Sequence, residues 1–398
     1  MKKLVDRVKK VVSPVLGRYF ADFEVDRGQG CYLFGSDGKK YLDFSSGIAS
    51  CSTGHAHPKV VAAAQKQLKK LIHICIGVAL YEPYIALAEK LRAIVPIKNA
   101  QFFFCQSGSE AIEAAIKLAK YATKKPGLIA IRGAFHGRTL GALSLTTSKM
   151  KYRDGYEPLL PNVFIAEPDL KEIGKILRTK KIAGIIVEPV LGEGGYIIFP
   201  KVFIKGLRRL CNKYKALLIF DEVQTGIGRT GKWFAAEHFG VKPDIICLAK
   251  GIASGFPLGG IAASAKTMKK WSPGAHGSTF GGNPVCCAAA IATIDVIKQQ
   301  KLLQNSAKLG GYLKKQLLKL KAKYSAIKDV RGLGLMIGVD FGDPTFVKQI
   351  MDYCLAQGLV LISTGGGGAV IRLVPPLIVS KQEIDKALKI IEQALNNA

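Results

Sequence analysis

The sequence lacks any apolar run as long as the roughly 18 residues of a membrane-spanning helix, so we expect no membrane span. It also lacks a C-x-x-C pair, and its nine cysteines are an odd number lying mostly inside apolar stretches. Such cysteines are typical of buried, reduced thiols rather than of a disulfide framework or a zinc site. Charged residues interrupt the N-terminal segment where a signal peptide would have its apolar core. Apolar residues at helical spacing from Leu4 to Val15 predict instead a short amphipathic helix in a cytoplasmic protein.

Acidic residues are scarce, with 29 Asp and Glu against 58 Lys and Arg, which gives a formal net charge of +29. A strongly basic chain raises the question of nucleic-acid binding. The basic residues, however, are spread over the whole chain, and aromatic residues do not alternate with them as in a base-stacking platform. We therefore expect no nucleic-acid partner and interpret the charge as a basic surface that attracts anionic substrates.

Histidine is scarce as well, and the six histidines include one H-x-H pair, His55 and His57. A metal role for this pair is the minor alternative. Because Pro58 follows directly, we interpret the pair as part of a loop and predict no metal site.

Short apolar runs that end in polar residues or glycine recur after residue 100 and predict the strands of a sheet. They are residues 101–105, 127–133, 162–166, 182–188, 216–222, 244–250 and 259–264. Helical patterns at 110–122 and 203–214 separate several of them. The pattern indicates an α/β fold with a largely parallel sheet between helices, whose ligands bind at the carboxyl ends of the strands.

A second α/β unit is predicted after Asn283-Pro284, which has the form of a helix N-cap and first turn. Helices at 301–325 and 380–396 and strands at 333–340 and 359–364 follow. The predicted division is an N-terminal segment of the small domain (1–45), a large domain (46–289) and a C-terminal small domain (290–398).

The stretch LLIFDEVQTGIGRTGKW, residues 217–233, matches parts of two nucleotide-binding motifs. Gly226, Gly228 and Gly231 spell G-x-G-x-x-G, and a G-x-x-x-x-G-K pattern overlaps them. A P-loop needs Ser or Thr after its lysine, but Trp233 follows here. Both motifs also require the first glycine directly after the strand, and here other residues intervene. We therefore predict that this segment binds no nucleotide.

Two reactive side chains stand at the ends of successive predicted strands, Asp221 after one and Lys250 after the next. A lysine enclosed by apolar residues has a lowered pKa and so provides a neutral, nucleophilic amine. Pyridoxal phosphate needs such a lysine for its Schiff base. It also needs an acid at its pyridine nitrogen, so that the ring can accept carbanion electrons. A snorkelling lysine and a helix-capping aspartate are the structural alternative.

Two further segments provide groups that suit a phosphorylated ring. Ser107, Gly108 and Ser109 follow a predicted strand and begin a helix, where free N–H groups and the helix dipole form an anion site. An ordinary helix cap is the alternative here. In AFHGRT, after another strand, Phe135 provides a flat face for a ring and Arg138 a guanidinium for a carboxylate.

The motifs IVEPVLGEGG, LLIFDEVQTGIGRTGKWFAAEHFGVKPDIICLAKGIASGFPLGG and HGSTFGGNP resemble those of the class III, or subgroup II, pyridoxal-phosphate-dependent aminotransferases. This family includes 4-aminobutyrate, acetylornithine and ornithine aminotransferases. The resemblance extends over residues 41–380, nearly the whole chain. It implies the pyridoxal-phosphate-dependent transferase fold type I, with a mostly parallel seven-stranded sheet flanked by helices and a smaller α/β domain.

The resemblance also implies residue roles. Lys250 would attach the cofactor and shuttle the proton, Asp221 would pair with the pyridine nitrogen, and Gln224 would approach the ring hydroxyl. Thr279, with Ser278, would reach the phosphate from a neighbouring chain, which implies a homodimer with shared active sites and leaves a tetramer open. The implied cofactor set is Ser107, Gly108, Ser109, Phe135, His136, Asp221, Val223, Gln224, Lys250 and Thr279.

For the substrates, the resemblance gives Arg372 the α-carboxylate of glutamate or 2-oxoglutarate and Arg138 a distal carboxylate. Glu188 would neutralise Arg372 when an ω-amino donor is bound and swing away for glutamate. The implied substrate set is Ile48, Arg138, Glu188, Ser278 and Arg372. The expected reaction moves an amino group from an ω-amino donor, similar to 4-aminobutyrate or N-acetylornithine, to 2-oxoglutarate.

The chain departs from the family pattern at a few positions, and these leave the donor open. Ile48 replaces the tyrosine typical of ornithine aminotransferases, and Leu191 replaces a common Gln. Cys105 and Gln106 stand where a Thr-Asn or Ser-Asn pair is common. An amino-acid racemase on the same fold is the alternative enzyme, and a non-catalytic basic oligomeric binding protein is the alternative from another class.

Overall fold

The structure is a computed structural model that describes residues 4–397. Its helices are α1 (Leu4–Val11), α2 (Ser46–Ala49), α3 (Pro58–Leu68), α4 (Glu82–Arg92), α5 (Gly108–Thr123), α6 (Leu140–Leu145), α7 (Leu170–Thr179), α8 (Lys201–Tyr214), α9 (Ala236–Phe239), α10 (Ala265–Met268), α11 (Pro284–Gln299), α12 (Leu302–Lys323), α13 (Pro344–Ala356) and α14 (Lys381–Asn397). Short 3-10 turns lie at Met150–Tyr152 and Lys250–Ala253.

The strands follow the same order along the chain. They are β1 (Val25–Gln29), β2 (Tyr32–Gly35), β3 (Lys40–Asp43), β4 (Ala100–Cys105), β5 (Gly127–Ile131), β6 (Val163–Ala166), β7 (Ile182–Val187), β8 (Val190–Leu191), β9 (Ile197–Ile198), β10 (Leu217–Asp221), β11 (Ile245–Leu248), β12 (Gly259–Ser264), β13 (Asp329–Leu333), β14 (Met336–Asp340), β15 (Leu359–Val360), β16 (Ile362–Thr364) and β17 (Val370–Leu373).

All seven strands predicted between residues 101 and 264 form one sheet, in the order β4-β12-β11-β10-β7-β5-β6. Neighbouring strands from β11 to β6 are parallel. By contrast, β12 runs antiparallel to both β11 and β4. The prediction of an α/β fold with a mostly parallel seven-stranded sheet is therefore confirmed.

Helices cover both faces of this sheet. Along β10, Leu218 and Phe220 belong to a buried cluster that includes residues of α8. Ile219, between them, belongs to a second cluster that includes residues of α5. Since successive residues of a strand point to opposite faces, α5 and α8 lie on opposite sides of the sheet. Burial on both faces also explains why β5 and β7 are continuous apolar runs without alternation.

Two four-stranded sheets lie outside the seven-stranded one, and the first joins N-terminal strands to a strand from the C-terminal part of the chain. In the sheet β1-β2-β3-β15, the C-terminal strand β15 pairs in parallel with β3. The sheet β13-β14-β17-β16 is antiparallel throughout. Strands β1, β2, β3 and β17 were not predicted from the sequence. Strand β1 is short and mostly exposed, and β17 has only four residues.

The predicted helix start at Asn283 is confirmed. Its Oδ1 accepts hydrogen bonds from the backbone N–H groups of Val285 (2.9 Å) and Cys286 (3.4 Å), which is the geometry of an N-cap. The predicted helices at 301–325 and 380–396 correspond to α12 and α14. All nine cysteines are free thiols and seven of them are buried, as the sequence predicted. Within residues 4–397, none of the helices combines the length and apolar character needed to cross a membrane.

Candidate active site

The carboxyl ends of the central strands surround a cavity of about 350 Å³, within the range of about 300–1,000 Å³ usual for small-molecule sites. Ten of the predicted residues line it. They are Ser107, Gly108, Ser109, Phe135, His136, Glu188, Asp221, Val223, Gln224 and Lys250. The predicted residues outside this lining are Ile48, Arg138, Ser278, Thr279 and Arg372. The sequence prediction therefore located the cavity from residues distant in the chain.

Lys250 begins the 3-10 turn that follows β11, and its side chain lines the cavity. Its φ of 48° lies in the left-handed region, where an L-residue is strained, and such strain is common at functional sites. Burial lowers the pKa of Lys250, while the negative charges of Glu193, Asp221 and Glu188 oppose that shift. The site therefore favours the neutral, nucleophilic amine more than water does.

Asp221 lines the cavity and is 5% exposed. Its Oδ2 lies 2.8 Å from Nδ1 of His136, and its Oδ1 accepts a hydrogen bond from the N–H of Val223 (3.0 Å). Each carboxylate oxygen has two lone pairs, so the carboxylate retains capacity for a pyridinium N–H. Nε2 of His136 is buried and has no hydrogen-bond partner among residues 4–397.

The N-terminus of α5 has the form of an anion site. The hydroxyl of Ser107 accepts from Glu110 N (3.2 Å), and Glu110 Oε2 accepts from the Ser107 hydroxyl (2.9 Å) and from Gln106 N (3.1 Å). These bonds close the cap, while the first N–H groups of a helix, here those of Gly108 and Ser109, have no partner within it. Such N–H groups at the positive end of the helix dipole suit a phosphate.

The sides of the cavity fit a flat ring. Phe135, which the sequence analysis proposed as a flat face for a ring, and Val223, a member of the implied cofactor set, both line it. A Cβ added to Gly108 would lie 2.9 Å from Val223 Cγ1, so the close approach there depends on glycine. Gln224 is fixed because its Oε1 accepts from the Tyr196 hydroxyl (2.7 Å), which leaves the amide nitrogen for a ring oxygen. The residues present therefore fit pyridoxal phosphate.

Arg372 on β17 is almost fully buried and pairs with Glu193, whose carboxylate accepts from Nη1. Nη2 donates to the Tyr19 hydroxyl at 2.7 Å. Nε of Arg372 is buried and lacks a partner in the described part of the chain. Glu193 also lines the cavity, so this ion pair stands at the edge of the site that Lys250 enters.

The predicted pairing of Arg372 with Glu188 is wrong in this structure. The carboxylate of Glu188 accepts hydrogen bonds from Phe135 N (2.8 Å) and Gly192 N (2.9 Å) instead. The motif EPVLGEGG contains two glutamates separated by the short strand β8, and the second, Glu193, pairs with Arg372 on β17. Burial and the nearby Asp221 raise the pKa of Glu188 to about 7, against the effects of His136 and the two hydrogen bonds.

The outer part of the site is cationic. The guanidinium of Arg138 lies 3.7 Å above the ring of Tyr152 and 5.6 Å from the ring centre of Phe135. Burial lowers the pKa of Lys149, which also interacts with the charges of Glu193, Arg372 and Arg138. Glu193, Tyr19, Lys149 and Tyr152 were not among the residues predicted from the sequence. The repeated glutamate of the EPVLGEGG motif could have indicated Glu193, while nothing in the local sequence indicates Tyr19.

Three predicted residues lie at the surface of this chain. Ser278 Oγ is hydrogen-bonded to the side-chain amide of Gln106, and Thr279 is exposed beside it. Ile48, 41% exposed, lies on α2, whose neighbour Ser50 lines the cavity. These positions place Ile48 and Thr279 near the site but outside its lining in a single chain.

The comparisons with known proteins agree with this geometry. The sequence model of the family "Aminotransferase class-III" matches residues 17–395. The chain is 45% identical to the acetylornithine aminotransferase of Archaeoglobus fulgidus, over 92% of this chain and 94% of that protein. It is 39% identical to the alanine/serine racemase of Pyrococcus horikoshii, over 100% and 90%. It is 40% identical to the 4-aminobutyrate aminotransferase GabT of Escherichia coli, over 100% and 99%.

A solved structure shares the fold as well. The ornithine aminotransferase of Toxoplasma gondii, described with partial occupancy of pyridoxal phosphate at its active site, has a TM-score of 0.92 and 28% identity. The match covers 98% of this chain and 93% of that one. The chain belongs to the class III aminotransferases and is a pyridoxal-phosphate-dependent transaminase.

Proposed function

We propose that the enzyme moves an amino group from an ω-amino donor, similar to 4-aminobutyrate or N-acetylornithine, to 2-oxoglutarate, and so forms a semialdehyde and glutamate. The observation that supports this most is the ion pair between Arg372 and Glu193 at the edge of the cavity that Lys250 lines. A buried guanidinium that can exchange one carboxylate partner for another suits two such substrates, because only one of them carries a carboxylate beside its reacting carbon.

The two substrates would use this pair differently. An ω-amine has no carboxylate beside its reacting carbon, so Glu193 stays on Arg372 and neutralises it. When 2-oxoglutarate binds, its α-carboxylate takes the place of Glu193 on the guanidinium. Since an unpaired buried charge is costly, the enzyme needs one partner or the other at every stage. We therefore assign to Glu193 the exchange that sequence analysis assigned to Glu188.

The distal carboxylate of a substrate would bind in the cationic outer part of the site. Arg138 presents a guanidinium there, stacked on Tyr152, and Lys149 adds a second positive charge. A guanidinium binds a carboxylate through two parallel hydrogen bonds, which fixes the direction of the substrate chain. Glutamate, with two carboxylates, would span Arg372 and Arg138.

Pyridoxal phosphate, when bound, supplies an electron-accepting ring that stabilises the carbanion left when the substrate loses a proton. We assign the supporting roles to residues of this chain. Lys250 would hold the cofactor and, when its amine is free, would move the proton. Asp221 keeps the ring nitrogen protonated, Gln224 contacts the ring hydroxyl, and the first turn of α5 holds the phosphate.

We further propose that the active enzyme is a homodimer in which Thr279 and Ser278 of one chain complete the phosphate site of the other. The support is the exposure of Thr279 beside a group of exposed apolar side chains. These are Ile72, Val78, Leu80 and Phe280, which are between 56% and 82% exposed.

The free thiols favour a reducing compartment, which supports a cytoplasmic location.

A donor screen in single turnover tests the reaction. The protein loaded with pyridoxal phosphate is mixed with 4-aminobutyrate, N-acetylornithine, ornithine and simple α-amino acids, and absorbance follows conversion to the amine form of the cofactor. We expect rapid conversion by an ω-amine and reversal by 2-oxoglutarate. Racemisation of an α-amino acid without any keto acid would instead support a racemase, which the similarity to the Pyrococcus horikoshii protein keeps as the second candidate.

A further inference from the structure

The segment α2 is a left-handed turn beside the active site. Its residues Ser46, Gly47, Ile48 and Ala49 all have positive φ, between 44° and 63°. In three of them the Cβ lies close to a carbonyl oxygen, which makes this conformation unfavourable for L-residues. Because left-handed residues normally occur singly, the surroundings must stabilise four in succession.

Asp43, fully buried at the end of β3, binds the start of this turn. Its Oδ1 accepts hydrogen bonds from Ser45 N (2.7 Å), Ser45 Oγ (2.6 Å) and Ser46 N (3.1 Å). Its Oδ2 lies 2.7 Å from Nε2 of His55. Burial opposes a charge on His55, but hydrogen bonds to Asp43 and Cys51 outweigh that effect and raise its pKa to about 10. The imidazolium therefore balances the buried carboxylate at neutral pH.

The turn contacts the strand that bears Arg372. The hydroxyl of Ser46 donates to the carbonyl oxygen of Val374, two residues beyond Arg372. Val374 in turn donates its N–H to the carbonyl of Phe44 (2.9 Å), directly after Asp43. Two hydrogen bonds, one from Ser46 and one to Phe44, thus join the start of the turn to Val374 just after β17.

The residues after the turn contact the segment of Lys250. Ser50 lines the cavity. The N–H and hydroxyl of Thr53 both donate to the Ser254 hydroxyl, at 3.0 and 2.8 Å, and Ser254 ends the 3-10 turn that Lys250 begins. The left-handed turn therefore lies between the lysine and arginine segments of the site.

We propose that Asp43 and His55 are positioning residues: their buried pair holds the Ser46–Ala49 turn in its left-handed form and so fixes where Ile48 meets the substrate. The part that concerns Ile48 rests on the proposed function together with the substrate role that the family resemblance implies for Ile48. The part that concerns the turn rests on the hydrogen bonds to Asp43 alone.

Hydrogen exchange tests the turn without any substrate. In Asp43→Asn, the charge pairing with His55 is lost, because the neutral amide cannot balance the imidazolium. We expect the amides of residues 44–52 to exchange at least about tenfold faster in the cofactor-loaded variant, while those of β10 and β11 keep their rates. Asp26→Asn makes the same chemical change at an exposed position and should alter neither region.

If Asp43→Asn yields no folded protein, His55→Ala takes its place, because it removes the partner of Oδ2 and leaves the bonds to Oδ1. His55→Gln, whose amide can still donate to Asp43, should restore slow exchange. Unchanged exchange of residues 44–52 in the Asp43 or His55 variant overturns the proposal, whatever reaction the enzyme catalyses.

A double-mutant cycle tests the consequence for the substrate, using the donor that the wild-type enzyme converts fastest. We expect Asp43→Asn and Ile48→Ala each to raise KM for that donor several-fold with a smaller change in kcat. If Asp43 acts through Ile48, the double variant should resemble the single variants instead of multiplying their effects. Multiplied effects would overturn the positioning of Ile48. If the wild-type enzyme converts none of the ω-amines, the proposed function is overturned. The hydrogen-exchange result would then still test whether Asp43 and His55 hold the turn.

Discussion

At the scale of single residues, the proposed function depends most on the surroundings of Arg372. Its guanidinium is almost completely removed from solvent and has Glu193 and Tyr19 as partners. Breaking a buried ion pair by removing one partner typically costs about 3–5 kcal/mol, because the other charge is left unpaired. The identity of the carboxylate on Arg372 should therefore affect each half of the reaction differently.

We expect Glu193→Gln to slow the half-reaction with the ω-amine by roughly tenfold or more, or about 1.4 kcal/mol in the barrier. The amide cannot neutralise Arg372 when the substrate has no carboxylate there. The half-reaction of 2-oxoglutarate should be little affected, since its own carboxylate pairs with the arginine. Separate single-turnover measurements of the two half-reactions give the comparison.

Glu188→Gln is the matched comparison, because Glu188 has the same side chain but contacts Phe135 and Gly192 instead of Arg372. It should change both half-reactions together. An equal loss in both half-reactions for Glu193→Gln would contradict the exchange of carboxylates on Arg372.

A pH effect on stability is expected from Glu222. Its carboxylate is buried and accepts hydrogen bonds from the backbone N–H groups of Ala235 and Ala236, at 2.8 Å each. Burial raises its pKa to about 7, although hydrogen bonds from Thr225, Ala235 and Ala236 oppose the shift. The folded protein thus binds more protons than the unfolded chain between the usual pKa of about 4.3 and 7. Stability should therefore fall as pH rises through this interval, by about 1.4 kcal/mol for each pKa unit of the shift.

Denaturant unfolding at several pH values between 4.5 and 7.5 measures this slope. In Glu222→Gln, which does not titrate, the decrease should be smaller than in the wild type. Parallel pH profiles for the two proteins would show that Glu222 does not contribute.

How far single residues could be predicted depended on the length of their motif. Asp221, Lys250 and the first turn of α5 follow predictable strands, and all line the cavity. The EPVLGEGG motif offered both Glu188 and Glu193 as partners of Arg372, but the choice between them depends on how the chain turns after β7, which the motif alone does not show. Tyr19 is separated from Arg372 by 353 residues, and only the folded chain brings them together.

At the scale of elements, the close packing of α12 against the turn between β13 and β14 depends on one glycine. A Cβ added to Gly310 would overlap the backbone carbonyl of Gly334, which cannot move like a flexible side chain. A Cβ added to the next residue, Gly311, would meet nothing within 4 Å. The two glycines are thus adjacent in one helix but differ in their surroundings.

We expect Gly310→Ala to destabilise the protein by roughly 1–3 kcal/mol or more, the usual cost of overpacking. Gly311→Ala should stabilise it by about 0.5–1 kcal/mol, because alanine restricts the unfolded chain and favours a helix. Denaturant unfolding of both variants against the wild type provides the measurement. Destabilisation of similar size in both would indicate that the effect belongs to the helix and not to its contact with Gly334.

The elements with long apolar runs were predictable, and the others were not. The central strands are buried on both faces, so their sequences are distinctive. By contrast, β1 to β3 acquire their partner β15 from the other end of the chain, which no local pattern indicates. Because this pairing joins the N-terminal strands to the C-terminal part of the chain, we propose the division into 1–45, 46–289 and 290–398. Residues 1–3 and 398 lie outside the described part of the chain.

At the scale of the whole molecule, a group of exposed apolar side chains lies beside Thr279. The segments 72–81 and 278–283 pack together, since Asn283 Nδ2 donates to the carbonyl of Ile72 (3.0 Å) and the rings of His73 and Phe280 lie 4.7 Å apart. Exposed apolar groups of this kind are typical of protein interfaces. They support a second copy of the chain as the partner.

We expect Leu80→Asp, which adds a charge at a side chain 82% exposed in the single chain, to convert dimers to monomers. It should also weaken cofactor binding, because Thr279 would no longer reach the neighbouring phosphate site. Light scattering and cofactor titration provide the measurements. Val202→Asp, at a position on α8 that is 66% exposed, is the control and should change neither. A Leu80→Asp protein with unchanged mass and cofactor affinity would contradict this interface.

The reversed direction of β12 has a consequence for how the active site is connected. Parallel neighbours need a long crossover between them, whereas antiparallel neighbours need only a short connection at one edge. The chain that leaves β11 therefore remains at the edge where the cavity lies until β12 begins. This single connection contains Lys250 and also Gly255, Phe256, Pro257 and Leu258 of the cavity wall. The proposed attachment point of the cofactor and one wall of the cavity are thus a single unit, and a change in the length of this connection would displace both.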